Sequence, residues 1–460
     1  MTLVVGIVLA RKLDPKVYGS IALVTVFTTL LQVFVDSGLG TALIQKKNAD
    51  DIDFSSVFWF NLVACIFLYC LMFMFAPLIA LYYDRNDLIP VIRVLSLILV
   101  ISGVKNIQQA YISRNLMFKK FFFATLGGTI CAAILGIWMA YHGFGVWALV
   151  AQYLLNGLVD TFILWITVKW RPKFVFSFER FKSLFSYGWK MLVSGLIDTV
   201  YNELRTIIIG KYYSSEDLAF YSKGSQYPKY AVDNINSTMN SILLPVLSQK
   251  QDDLIAVKSA TRRVIKLSSF VIWPMMIGLC VTAENFINVL LTEKWLPATF
   301  FMRVICIGTA FQPLQTTNLS VIKALGQAGI HLKIELIKKS IAITIVIVSA
   351  FFGVEAIAIG SVIYALIATI INSYPNRKLI DYSYIEQIKD IMPFVIMSCI
   401  MGICVYFVGL LSLKPFLTLM LQIICGVVIY LLCSVISRVE ALYTLKEVLM
   451  DLLHMRTEKN

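Results

Sequence analysis

Long apolar runs separated by short polar joints dominate the chain. The first complete run opens at Tyr18 and ends in VDSGLGTALIQKK (Val35 to Lys47), where an aspartate, two lysines and then a cluster of acids follow closely. A helix needs roughly 20 mostly apolar residues to cross a bilayer. By that ruler the pattern predicts about fourteen spans, centred near Val5, Leu30, Phe67, Leu99, Ala132, Leu155, Ile197, Ile235, Ile277, Ile307, Ile343, Ile363, Met401 and Val427. The first run, MTLVVGIVLARKL, supplies only about a dozen residues, too few for a crossing, so the pattern predicts a start further upstream or a trimmed chain. A signal peptide is the alternative, but the run has neither a basic n-region nor a small-residue cleavage site. The longest polar stretches, near Lys169 to Lys182, Ser248 to Arg263 and Tyr374 to Asp390, are too short for a folded soluble domain.

Composition agrees with this pattern. Of 460 residues, 59% are hydrophobic and 15% charged, with a mean hydropathy of +0.79; a soluble domain is nearer 45–50% apolar and about 25% charged. The surplus apolar surface must face lipid, which makes the chain an all-α, multi-pass membrane protein. Its net charge of +13 comes from basic residues at the ends of the apolar runs, with no nucleic-acid recognition motif. Placing the N-terminus inside puts about 23 basic residues in cytoplasmic loops and tail, against about 7 outside, as the positive-inside rule requires; Arg11 to Lys16 is the one discordant loop. Both termini are therefore expected in the cytoplasm. The nine cysteines form no CxxC pair, and His142, His331 and His454 are scattered, so neither a metal site nor a cofactor is expected.

The chain also resembles itself. VDSGLGTALIQKK aligns without a gap on TMNSILLPVLSQKQ, setting Asp36-Ser37 on Asn240-Ser241 and Gln45-Lys46 on Gln249-Lys250. GVWALV at Gly145 matches GVEAIA at Gly353. LIPVIRVL, with Pro90 and Arg93, resembles LPATFFMRVI, with Pro297 and Arg303, and ARKLDPKVYG resembles GKYYSSEDLAFYS. Four matches in one order at nearly one offset predict a duplication of a six-span unit. An even span number gives a parallel repeat, as in transporters with two six-helix halves. The expected division is an N-terminal lobe at 1–175, a C-terminal lobe at 176–384, two further helices at 385–440 and a cytoplasmic tail at 441–460. Such a bundle predicts a substrate site near the midplane and alternating access.

An ionisable group at a span centre costs about 2.5–3.5 kcal/mol on insertion scales, so it usually faces a cavity and serves a purpose. Asp36, Arg93, Lys105, Asp160, Asp198, Glu203, Arg205, Lys223, Asp233 and Arg303 are such groups. Arg93, Lys105, Arg205, Lys223 and Arg303 would draw an anion, and arginine forks suit phosphate oxygens. Asp36, with Asp198 and Asp233, is a candidate carrier of a coupling H⁺ or Na⁺; the alternative for Asp36 is a structural hydrogen bond to the backbone or to Ser37. Gly128, Ala132 and Gly136, four apart, predict close helix packing. The acidic run Asn48 to Asp53 reads as a capped helix start rather than a cation site. No loop gathers acids, histidines or metal ligands, so an enzyme is not expected, and no GxxxxGK[ST] loop points to ATP.

The segments VYGSIALVTVF, DSGLGTALIQKK, DFSSVFWFNL, GFGVWALVAQYL, IIIGKYYSSEDLAFYSKGSQYP and LLPVLSQKQDD resemble the polysaccharide flippase family (Wzx-like) of the MOP transporter superfamily, from Val5 to about Tyr384. The resemblance implies two pseudo-symmetric six-helix lobes with two appended helices. It implies translocation of undecaprenyl-diphosphate-linked oligosaccharides across a bacterial plasma membrane, for O-antigen, capsule, exopolysaccharide or teichuronic-type polymers. Coupling to H⁺ or Na⁺ and cationic cavity residues that hold the diphosphate and acidic sugars are implied with it, as are polymerase and glycosyltransferase partners of the same pathway. Lys223 stands where the family commonly has arginine, which keeps the charge and loses the fork, and Arg205 stands where relatives often have aspartate. The competing readings are a cation-coupled multidrug antiporter of the same superfamily, a membrane glycosyltransferase or polymerase, and a scaffold that transports nothing.

Overall fold

The computed structural model describes residues 2–36, 38–46, 48–411 and 413–442, apart from the side chains of Thr2, Tyr187, Lys190, Asn240, Ser241, Ile242, Leu244 and Ala328. The predicted Asn240-Ser241 counterpart of Asp36-Ser37 and almost all of the 441–460 tail therefore lie outside the described residues. Internal contacts divide the chain into Met1–Ala219 and Phe220–Asn460. The first unit holds α1 (Thr2–Lys12), α2 (Pro15–Asp36), α3 (Leu39–Gln45), α4 (Asp51–Tyr82), α5 (Leu88–Leu95), α6 (Leu97–Arg114), α7 (Phe118–Tyr141), α8 (Val146–Thr167) and α9 (Phe178–Tyr212). Helix α10 (Ser215–Gln249) starts before the division and continues past it. The second unit goes on with α11 (Leu254–Leu291), α12 (Ala298–Thr309), α13 (Gln312–Ala324), α14 (Ala328–Ser349), α15 (Val354–Ser373), α16 (Asn376–Leu379), α17 (Tyr384–Gly409) and α18 (Pro415–Ile436).

All fourteen predicted span centres fall in helices, and the described residues contain no strand. Nine helical segments among them are long and apolar enough to cross a membrane. The other five predicted spans miss that standard for physical reasons: α1 has 11 residues, α12 and α13 are each short, α9 and α14 carry several charges, and α10 is rich in amides. Large apolar side chains stand exposed along the apolar helices, among them Phe67, Met74, Phe162 and Val427, as a lipid-facing surface demands. The contact division falls 44 residues beyond the expected 175/176 boundary, because α9 packs along α2, α3 and α4. Gly38, at φ 66°, makes this approach possible: a Cβ there would lie 2.6 Å from Met191 Cβ and 2.8 Å from the Gly188 carbonyl oxygen.

The two units start and stop their helices with the same devices. Asp50 caps α4 by accepting from the Ile52 and Asp53 amides, and Asp253 caps α11 by accepting from Ile255 and Ala256. Gly145 and Gly353 both take positive φ immediately before α8 and α15, where an L side chain would be strained. Each fourth span is broken: α5 gives way to α6 at Ser96, and α12 to α13 at Ala310-Phe311. Within α7, Gly128, Ala132 and Gly136 are all buried, and a Cβ on Gly128 would meet the Asn156 carbonyl oxygen of α8 at 2.8 Å.

The ends of each bundle are tied by charge. In the first unit the acidic run is the capped helix start that the sequence predicts, and its cap is a capping box between Asp50 and Asp53. Lys46 donates to Asp53 at 2.7 Å, Arg180 reaches Asp50, and Lys173 pairs with Asp51. The Arg180 hydrogen bond, with the helix-start amides behind it, lowers the Asp50 pKa to about 2. At the opposite end Arg85 grips Asp87 and donates to Ser20 and Ser215. In the second unit Arg262 holds Asp390 through two bonds of 2.6 and 2.7 Å, and Tyr382 donates to the same carboxylate.

Candidate functional site

The polar groups inside the first unit gather where α2, α6 and α8 meet. Asp36 ends α2 and is exposed. Asn106 of α6 donates to the Asp36 carboxylate at 3.0 Å and to the Val35 carbonyl at 2.8 Å, with Gln32 a more distant donor at 3.5 Å. The neighbouring Lys105 donates to Asp160 of α8 at 3.1 Å. That pair is mostly out of water, with side chains 21% and 10% exposed. The second oxygen of Asp160, Oδ1, is buried and has no hydrogen-bond partner among the described residues. In a low-dielectric span a lone ion is expensive, and pairing makes the Lys105 charge tolerable. Two hydrogen-bonded groups, Asp36–Asn106 and Lys105–Asp160, thus sit on adjacent residues of one helix.

The second unit has a counterpart with no cation at the matching positions of α13. Gln312 of α13 donates to Asp233 of α10 at 2.9 Å, and Thr316 contacts Asn236 at 3.5 Å. Near the repeat offset, amide and hydroxyl groups on α13 stand where α6 offers Lys105 and Asn106. Lys223, 8% exposed on α10, donates to Gln226 at 3.2 Å, and Gln226 donates to the Tyr230 hydroxyl at 3.0 Å. The α13 helix is further locked by a buried network in which Asn318 donates to Ser373 and to Gln387.

The remaining predicted residues stand apart from these clusters. Arg93 packs over the Phe73 ring at 4.3 Å and donates to the Phe73 carbonyl at 3.3 Å. Arg303, the repeat partner of Arg93, is exposed and pairs with Glu284 at 3.5 Å. Arg205 is half-buried on α9, and its Nε lacks a partner among the described residues. Asp198 lies exposed on the same helix. Asn106, Gln312 and Gln226, none of them singled out in sequence, supply most of the hydrogen bonds. For Asn106 and Gln312 the signal was the polar cluster KNIQQ inside an apolar span, and FQPLQTTN near the repeat offset.

A model of the family described as "Polysaccharide biosynthesis protein" matches residues 8–300. The chain belongs to this family. Among its relatives, the teichuronic acid biosynthesis protein TuaB of Bacillus subtilis (strain 168) is 26% identical over 424 residues, covering 88% of this chain and 85% of TuaB. Among solved structures, the lipid II flippase MurJ in an inward closed conformation matches with a TM-score of 0.79 at 15% identity, over 95% of this chain and 97% of MurJ. An inward-facing multidrug resistance MATE family transporter of the MOP superfamily matches with a TM-score of 0.65 at 15% identity, over 83% and 95%. This family member therefore has the helical fold of MOP transporters.

Proposed function

We propose that the protein is a flippase that carries polyprenyl-diphosphate-linked oligosaccharides across a bacterial inner membrane, by ion-coupled alternating access, for assembly of a surface polysaccharide. The carrying observation is the family match over residues 8–300. TuaB is named for teichuronic acid biosynthesis and MurJ for flipping lipid II, and the second of these has this fold. Ionisable side chains held inside apolar helices, Lys105–Asp160 and Lys223, fit such a transporter, because they impose an insertion cost that packing does not require. The chain acts as a carrier and not as an enzyme. Within this reading the two units are the lobes of the transporter, both termini are cytoplasmic, and polymerases and glycosyltransferases of the same pathway are its partners. The cations Arg93, Lys105, Arg205, Lys223 and Arg303 serve the diphosphate and acidic sugars, and Asp36, Asp198 and Asp233 serve the coupling ion. No cofactor takes part.

Reconstitution tests this. Proteoliposomes containing the full chain flip a polyprenyl-diphosphate oligosaccharide, read by access of an external glycan-modifying reagent. Lys223→Gln lowers the rate at least tenfold, and Arg93→Ala with Arg303→Ala lowers it as well. Extrusion of a cationic dye under a proton gradient, with no movement of lipid-linked glycan, would replace this reading with drug antiport.

A further inference from the structure

The joint between α8 and α9, residues 168–177, counts as polar by its cations, but its middle is KFVFSF. In the fold the cations turn inward and the rings outward. Arg171 donates to the carbonyls of Trp165, Val168 and Trp170 at the end of α8. Lys173 pairs with Asp51, and Arg180, just beyond the joint, pairs with Asp50. Phe174 is 92% exposed, and Val175, Phe176 and Phe178 are exposed as well. A loop bathed in water presents the reverse surface, and a contiguous apolar patch of this kind marks a contact with something other than water.

The segment is pinned to α4. Ser55 and Ser56, both fully buried, accept from the Lys173 and Ser177 amides at 3.0 and 2.9 Å. The Trp59 indole donates to the Lys173 carbonyl at 2.8 Å. Near membrane depth, irregular backbone is tolerated only where protein groups satisfy it in this way. The pins also set a depth. Counted back from Tyr82, where α4 ends, about 20 residues span a hydrocarbon core of roughly 30 Å and reach Leu62. Trp59 lies one turn further out, where acyl chains give way to headgroups. The Phe174 ring stacks on Trp59 with centroids 4.9 Å apart. It extends a stripe of Trp59, Val63 and Phe67 at four-residue spacing, and Val63 and Phe67 are exposed on the lipid-facing surface of α4.

We propose that residues 173–178 form a wedge inserted into the bilayer interface, with Phe174, Val175, Phe176 and Phe178 between the headgroups and the outermost acyl segments. Continuity names the occupant. The joint follows α8, which is long and apolar enough to cross a membrane, and its rings run on into the lipid-facing stripe of α4. The cations nearest the rings are taken up by protein groups, so the apolar side chains carry the insertion. The wedge is a membrane contact of the first unit, separate from the Asp36–Asn106 and Lys105–Asp160 groups.

The test places one nitroxide at a time on a cysteine-free full chain in phosphatidylcholine nanodiscs. Depth is read by power saturation, as the ratio of accessibility to oxygen and to a water-soluble nickel chelate. Phe174→Cys and Phe176→Cys give a ratio several-fold above that of Asn48→Cys, which is exposed before the start of α4, and below that of Met74→Cys, which is exposed well inside the span. With the label at Val175→Cys, Phe174→Ser together with Phe176→Ser lowers the ratio several-fold. Phe351→Ser together with Phe352→Ser, a loss of two exposed rings in the α14–α15 joint, leaves it unchanged. Ratios at 174 and 176 that match Asn48→Cys overturn the proposal and make the patch a water-facing surface open to a protein partner. A ratio at 175 that is indifferent to the paired serines also overturns it, because the rings would not be the anchor. The readout requires no transport, so it stands or falls apart from the flippase reading.

Discussion

Lys105 depends on a partner that its own span does not supply. Asp160 lies 55 residues away and brings one oxygen to 3.1 Å. Removing one member of a buried pair strands the other, at a cost of about 3–5 kcal/mol when burial is complete. Lys105 keeps about a fifth of its side chain exposed, so Lys105→Met is expected near the lower end of that range, about 3 kcal/mol. Lys105→Met combined with Asp160→Leu recovers most of the loss, since apolar replacements of a buried pair are close to neutral. Denaturation midpoints of the three variants in detergent measure this; an additive double variant would show that the two residues do not interact. The charges of Asp36, Lys105 and Asp160 were legible in the sequence as interruptions of apolar runs. Their pairing was not, because a hydrogen bond between Asn106 and Asp36 joins positions 70 apart and leaves no periodic trace.

Among the elements, caps were the most readable feature. The run Asn48 to Asp53 has the spacing of a helix start, and Asp50 occupies the cap with Asp53 returning the bond. Asp50→Ala is expected to cost roughly 1 kcal/mol, the usual worth of such a cap. The lowered pKa sets its acid sensitivity. Because the folded value lies below the unfolded value of about 3.9, the carboxylate stabilises the fold fully above that value. The contribution fades as pH falls from there through about 2. Melting curves at pH 5 and pH 2.5 should converge for the intact chain and Asp50→Ala as acid is added; a constant gap would exclude the carboxylate as the cause. Breaks inside spans were harder to foresee. The predicted span at Leu99 is two helices meeting at Ser96, and no glycine or interior proline marks the junction. The apolar run alone cannot show it, since both halves are hydrophobic.

At the scale of the whole molecule, hydropathy carried most of the reading of the fold, and the orientation rests on the basic loops alone. The boundary between the units depends on which neighbours α9 touches, which a linear pattern does not contain. The topology itself can be checked. On a cysteine-free background, a membrane-impermeant maleimide applied to intact cells should label Asn86→Cys and leave Lys173→Cys unmodified until the membrane is opened; the reverse pattern would invert the orientation. The closeness of α9 to α2 also has a consequence during synthesis. Phe178 is made 142 residues after Asp36, which at 5–20 residues per second is a delay of roughly 7–28 s. Through that interval the nascent α2 is already in the translocon or bilayer without its eventual neighbour. Asn106 can reach the end of α2 before the ninth helix arrives, so the order of emergence from the ribosome is also the order in which this corner of the protein closes.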